Sequence, residues 1–166
     1  MNKSALAIAC AAAALLAGCG SGSKDGDTDT QFVTAHNIQQ LMAYVLEPQA
    51  QVFWGSAGFI IDEDGEHDLT PTTDEGWLAA RSAAATVTEM GNLLMTPMFA
   101  EGRDDDWMIY SRALVEIGQK AEQAAADKDS EAVFETGGLV YNVCRACHQV
   151  YVGDVDPPPL PGAEGI

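Results

Sequence analysis

The sequence predicts an all-α domain built from four amphipathic helices between residues 32 and 152. Apolar residues recur at intervals of three and four in four separate stretches, which is the spacing of one helix face. Helix-capping residues precede the later stretches, and glycine, proline and acidic residues fill the connections. From residue 32 onward about 130 residues remain, which suits one domain with one hydrophobic core.

The chain begins with a predicted export signal, residues 1–18. Lys3 precedes an apolar run, residues 5–17, that is too short to span a bilayer comfortably. Its end, Leu16-Ala17-Gly18-Cys19, resembles the lipobox of bacterial lipoproteins. That resemblance implies cleavage before Cys19 and acylation of its thiol. An ordinary signal peptide cleaved near Ala17 is the alternative.

Residues 19–31 are predicted to be a flexible tether, because residues 20–30 contain no large apolar side chain. The expected location is therefore the periplasm, with the domain lipid-anchored to a membrane. Gly20 follows the cysteine, and by resemblance to enterobacterial lipoproteins this favours the outer membrane over the inner one. At the other end, residues 153–166 form a proline-rich tail without expected structure.

The first predicted helix runs from about Phe32 to Trp54. Pro48 removes a backbone donor inside it, so we expect a kink or a break near Leu46. Residues 55–73 follow as a loop, and its acidic run, residues 62–65, is interpreted as a solvated turn rather than a calcium site. The predicted inward stripe of this helix comprises Ile38, Leu41, Met42, Val45, Val52 and Phe53.

Three longer helices follow. Thr73 caps the second, which extends to about Met95, Asp104 caps the third, which extends to about Ala126, and the fourth begins at Asp129 or Ser130. The predicted core positions are, helix by helix, Trp77, Ala80, Ala84, Val87, Gly91 and Leu94; Trp107, Tyr110, Leu114, Ile117, Ala121 and Ala124; and Val133, Thr136, Val140, Val143 and Cys147. Gly137-Gly138 costs about 1 kcal/mol of helix propensity per residue, so we expect close packing there, of a neighbouring helix or of a porphyrin edge, or else a local weakness.

The fourth helix carries Cys144-Arg145-Ala146-Cys147-His148. Two thiols at this spacing reach the two vinyl groups of one porphyrin, and the adjacent imidazole then lies under the iron as its proximal ligand. A redox disulfide and half of a zinc site are the alternatives, but the first usually opens a helix after a strand and the second needs four N or S ligands. The motif therefore predicts one covalent haem c on Cys144 and Cys147, with iron bound by His148.

Four amphipathic helices with this motif near the end of the last one resemble the class II c-type cytochromes, cytochrome c-prime and its low-spin relatives. The resemblance covers roughly residues 32–151, and Tyr151 fits the aromatic residue often found three positions after the histidine. It implies an antiparallel four-helix bundle with the haem between its helices. Family members carry basic residues just after that aromatic and on the first helix, and both are missing here. The candidates for contact with a haem propionate are instead Arg145, Arg81 and Arg112.

The resemblance implies two function classes. An electron carrier cycles Fe(III)/Fe(II) between two strong axial ligands, whereas a gas binder leaves the distal side open for NO or CO. Low-spin members supply a distal methionine from the first helix, where Met42 is the candidate; His36 and an empty or water-bound site are the rivals. We predict electron transfer, with gas binding as the alternative. Neither His36 nor His67 is suitably placed as a distal acid–base group, so no enzyme activity is expected.

The composition constrains the partners. With 8 Lys and Arg against 25 Asp and Glu, the formal net charge is −17. Nucleic acid and anionic lipid are disfavoured as direct partners, while a basic redox partner would be steered toward the surface at low salt. An acidic protein from a salty habitat has the same composition. The family resemblance is also compatible with a homodimer.

Overall fold

The computed structural model describes residues 32–152, so the predicted export signal, tether and tail lie outside the described residues. The described part is mostly helical, as predicted, with little strand. None of its helices is long and apolar enough to cross a membrane. The elements are α1 (Ile38–Leu41), a π-helical segment (Met42–Leu46), α2 (Glu47–Trp54), β1 (Phe59–Asp62), β2 (Gly65–Asp68), α3 (Asp74–Leu94), α4 (Pro97–Ala100), α5 (Asp105–Ala126) and α6 (Ser130–Tyr151).

The first helix begins at Ile38 rather than near Phe32. Asn37 forms a capping box with Gln40: the Asn37 side chain accepts from the Gln40 backbone N–H at 2.9 Å, and the Gln40 side chain accepts from the Asn37 N–H at 3.1 Å. This reciprocal pair satisfies two backbone donors and fixes the helix start. The spacing of apolar residues does not contain this capping signal, so the predicted start near Phe32 is too early.

The predicted irregularity before Pro48 is confirmed, in the form of a π-helical turn. The Glu47 N–H donates to the Met42 carbonyl, five residues back, instead of four. The additional residue in this turn rotates the apolar stripe that follows. Phe53 is consequently buried at 2% exposure, whereas Val52 is 43% exposed, and the prediction that Val52 faces inward is wrong.

The connection that was predicted to be a loop contains an antiparallel hairpin. Asp62 pairs with Gly65, so Glu63 and Asp64 form a two-residue turn. Gly65 has a φ of 126°, a conformation that favours glycine, and the Asp62 carboxylate accepts the Asp64 N–H at 2.9 Å. The acidic run is therefore a hairpin turn. Strand β1 is only four residues long and exposed throughout, which gave no alternating pattern to read.

The three long helices have the predicted boundaries within one or two residues. The Thr73 hydroxyl accepts the Gly76 N–H at 3.1 Å and caps α3, and all six predicted core positions of α3 are buried. Asp104 occupies the N-cap position of α5, but its carboxylate accepts a hydrogen bond from the Tyr151 hydroxyl rather than from the helix backbone. Helix α5 contacts both α3 and α6, and α2 contacts α3 and α6.

Two glycines allow α3 and α5 to approach closely. A Cβ atom added to Gly118 would lie 2.4 Å from Thr88 Oγ1 and 3.0 Å from Thr88 Cα, and one added to Gly91 would lie 2.8 Å from the Ser111 carbonyl oxygen. Gly137 meets a neighbour as well, since its carbonyl accepts the Trp54 indole N–H at 2.9 Å. Helix packing thus explains Gly137. Gly138 has nothing within 4 Å of the added Cβ, so close packing does not explain it.

Candidate haem site

A cavity of about 770 Å³ lies between the first helical region, which comprises α1, the π-helical segment and α2, and helices α5 and α6. The end of α3 and the connection before α5 also contribute to its wall. Most of its lining is apolar, and this size lies within the range of small-molecule and cofactor sites. The lining residues are Ile38, Gln39, Met42, Ala43, Leu46, Glu47, Ala50, Leu94, Arg103, Trp107, Tyr110, Ser111, Leu114, Val143, Cys144, Cys147, His148, Tyr151 and Val152.

Helix α6 brings both cysteines and the histidine of the motif to this cavity. Residues three apart on a helix lie on the same face, so Cys144 and Cys147 reach the cavity together. Both thiols are free and half-buried, whereas His148 lies in the exposed last turn of the helix. Predicted core positions near this end of α5 and α6, such as Tyr110 and Val143, are only half-buried because they face the cavity.

Burial keeps both thiols of the motif protonated at neutral pH. Burial raises the pKa of Cys144 to about 11, and the Glu47 carboxylate and Cys147 add to that effect. Burial also raises the pKa of Cys147, which the Arg103 guanidinium partly offsets. Within residues 32–152, no group of three or more His, Cys, Asp and Glu side chains is arranged to hold a metal ion.

The candidate distal ligand, Met42, lines the same cavity from the first helical region. It is half-buried and begins the π-helical segment, a helix irregularity that is frequent at functional sites. The rival ligand, His36, precedes α1 and is exposed, with its ring 6.4 Å from that of Tyr44. His36 does not line the cavity. Of the two candidates, Met42 is the one that the fold brings near the motif.

The arginines predicted to contact a propionate lie elsewhere. Arg145 is exposed on α6 and does not line the cavity, although it stands inside the motif. Arg81 pairs with Glu122 at 3.2 Å on the exposed surface of α3 and α5, and Arg112 is exposed outside the cavity lining. The arginine that does line the cavity is Arg103, which sequence reasoning missed. Nothing in its local sequence, a short connection before α5, pointed to a binding role.

Aromatic side chains form the wall beside Arg103. Trp107 donates its indole N–H to the Leu94 carbonyl at 2.7 Å, and the Tyr151 ring lies edge-on to it with 5.1 Å between centroids. Partial burial raises the pKa of the Tyr151 phenol, and its hydrogen bond to Asp104 adds a smaller increase, to about 12 in all. The hydroxyl therefore stays protonated at neutral pH and holds the end of α6 to the start of α5.

These residues fit a covalently attached haem. Two thiols and an imidazole on one helix are the groups that covalent attachment and iron binding of haem c require, and the Met42 thioether is a possible second iron ligand in the same mainly apolar cavity. No protein-family model, no curated protein and no solved structure significantly matches the chain. The assignment of this site therefore depends on its own chemistry and geometry.

Proposed function

We propose that this protein is a c-type cytochrome that acts in electron transfer. Its first helical region, α3, α5 and α6 would form an antiparallel four-helix bundle, with one haem covalently held by Cys144 and Cys147. The observation that carries the proposal is that Cys144, Cys147, His148 and Met42 line one apolar cavity from two different helices.

Each part of the site has a role in this proposal. The bound haem supplies one-electron Fe(III)/Fe(II) chemistry. Cys144 and Cys147 would fasten the macrocycle to α6, and His148 and Met42 would bind its iron. Apolar side chains such as Leu46, Leu94 and Leu114 exclude water. Because both iron-binding side chains would come from packed helices, they would move little between the two redox states, which suits rapid electron exchange.

Replacing Met42 with alanine tests the choice between electron transfer and gas binding. The wild type is expected to be low-spin and to bind CO poorly, whereas Met42→Ala should become high-spin and bind CO readily. Its midpoint potential should fall by about 0.1 V, a part of the roughly 0.8 V that axial ligands span. Visible spectra of the reduced protein with and without CO, and a redox titration, provide the measurements.

Met108→Ala is the matched control, because Met108 is also half-buried but lies outside the cavity lining. It should leave the spectrum, the potential and the CO affinity unchanged. If Met42→Ala behaves like this control, methionine ligation is wrong. A wild type that is already high-spin and binds CO readily would favour the alternative function, binding of NO or CO.

We also propose that the protein is anchored in the periplasm by lipid on Cys19. More than one acyl chain gives stable membrane attachment, so Cys19→Ser is expected to move the protein from the membrane fraction to the soluble fraction. Cys10→Ser is the control, since Cys10 would leave with the signal peptide. A wild type found wholly in the soluble fraction, or a mature N-terminus other than Cys19, would contradict the anchor.

The proposed redox partner is a basic protein. Three exposed acidic residues, Asp104, Asp105 and Asp106, lie beside the cavity at the start of α5. This cluster adds to the net charge of −17 and would attract a basic surface at low ionic strength.

A further inference from the structure

Arg103 lines the cavity from the short connection between α4 and α5. It follows Gly102, whose φ of 77° lies in the left-handed region that favours glycine. The described lining contains one carboxylate, Glu47, one histidine, His148, and one arginine, Arg103, and no lysine. A permanent positive charge thus stands at the edge of an otherwise mainly apolar cavity.

The protein holds this guanidinium in a defined orientation. Arg103 Nε donates to the Phe99 carbonyl at 2.8 Å. The central guanidinium carbon lies 3.9 Å from the centroid of the Trp107 ring and 5.7 Å from that of Tyr151. Stacking on an aromatic face stabilises the cation and restricts its motion. Both terminal nitrogens, Nη1 and Nη2, make no hydrogen bond within residues 32–152.

Arg103 also lacks an ion pair with any described carboxylate, although acidic residues surround it in sequence. Its neighbour Asp104 accepts the Tyr151 hydroxyl instead. Arg81, by contrast, is paired with Glu122. An oriented guanidinium with free terminal N–H groups is the arrangement that binds a carboxylate through two parallel hydrogen bonds.

We propose that Arg103 is the carboxylate-binding residue of this cavity and that it holds a haem propionate. The inference rests on the proposed function, because haem is the ligand that would bring the carboxylates. A carboxylate at the edge of an apolar cavity needs a charged partner to offset its lost hydration. Arg103 replaces the basic residues that this chain lacks after Tyr151 and on its first helix, and it takes this role in preference to Arg145, Arg81 and Arg112.

The first test uses the haem-loaded full-length protein. Removing the positive charge leaves the propionate charge unopposed, which stabilises Fe(III) over Fe(II). Arg103→Gln should shift the Fe(III)/Fe(II) equilibrium toward Fe(III) by about tenfold, equal to about 59 mV for a one-electron couple. Arg112→Gln and Arg145→Gln make the same change in net charge at positions outside the cavity lining. They should therefore shift the Fe(III)/Fe(II) equilibrium by less than about twofold.

Arg103→Lys separates charge from geometry and guards against a folding defect, because Arg103→Gln also loses the stacking on Trp107. Lysine keeps the positive charge but lacks the planar guanidinium. The midpoint potential of Arg103→Lys should therefore lie between those of the wild type and Arg103→Gln. A redox titration of the four variants beside the wild type gives the comparison. Equal potentials for Arg103→Gln and Arg112→Gln would overturn the inference.

The second test measures directly whether Arg103 binds the propionate carboxylates. In the Cys144→Ala/Cys147→Ala background, free haem and haem dimethyl ester, in which both propionates are esterified, are titrated separately. Arg103→Gln should weaken haem binding by about tenfold or more and leave binding of the ester unchanged. Equal losses for haem and for the ester would overturn carboxylate recognition. Absence of covalent haem from the wild type would instead overturn the proposed function, so the two failures are distinguishable.

Discussion

Replacing both Cys144 and Cys147 with alanine is expected to abolish covalent haem attachment completely. In the proposed attachment, two thioether bonds would be the only covalent links to haem, and both thiols line the cavity. After expression in cells with intact cytochrome maturation, denaturing electrophoresis followed by a haem stain should show the wild-type band stained and the double variant unstained.

Arg145→Ala is the matched control for that experiment, because Arg145 lies between the cysteines but is exposed and outside the cavity lining. It should keep the stain at the wild-type level. Retention of the stain by the double alanine variant would refute attachment through these thiols, whatever the visible spectrum shows.

The second large effect concerns stability. Gly118→Ala is expected to lower the free energy of unfolding by about 2 kcal/mol. The new Cβ would lie 2.4 Å from Thr88 Oγ1, 3.0 Å from Thr88 Cα and 3.1 Å from the Thr88 nitrogen. These distances are shorter than ordinary van der Waals contacts. It would also disturb the hydrogen bond that the Thr88 hydroxyl donates to the Ala84 carbonyl at 3.0 Å. This cost exceeds the gain of about 1 kcal/mol from alanine's helix propensity.

Gly138→Ala separates the two contributions, since Gly138 is also helical but its added Cβ meets nothing within 4 Å. The free energy of unfolding of Gly138→Ala should exceed that of the wild type by about 0.5–1 kcal/mol. Chemical denaturation of both variants beside the wild type measures the difference. A Gly118→Ala protein as stable as the wild type would show that α3 and α5 are not in close contact.

The sequence predicts the helices whose signals are local and repeated. Helix α3 has a capping threonine, a long three-four rhythm and a following proline, and its boundaries are correct to within a residue. The hairpin was missed because β1 is short and exposed. Val52 was assigned inward because an apolar stripe was extended through Pro48 at a constant period, which the π-helical turn interrupts.

The candidate site likewise contains residues that the sequence predicts and one that it does not. The motif residues are identifiable because covalent attachment fixes their spacing within five positions. Met42 could be proposed only by resemblance, and the structure then brings it to the cavity. Arg103 had no such signal, since its position depends on how the α4–α5 connection packs against Trp107 and Tyr151, residues on two different helices. Contacts of this kind are properties of the folded chain and leave no local pattern.

The π-helical turn also makes the first helical region sensitive to its own length. Such a turn is equivalent to an α-helix with one residue inserted, and one residue corresponds to about 100° of rotation in an α-helix. Deleting a single residue from Met42–Leu46 would therefore allow regular winding but would turn the side that bears Ile38 away from the side that bears Ala50 and Phe53. The number of residues in this region, as well as their identity, determines which side chains reach the cavity and which reach the core.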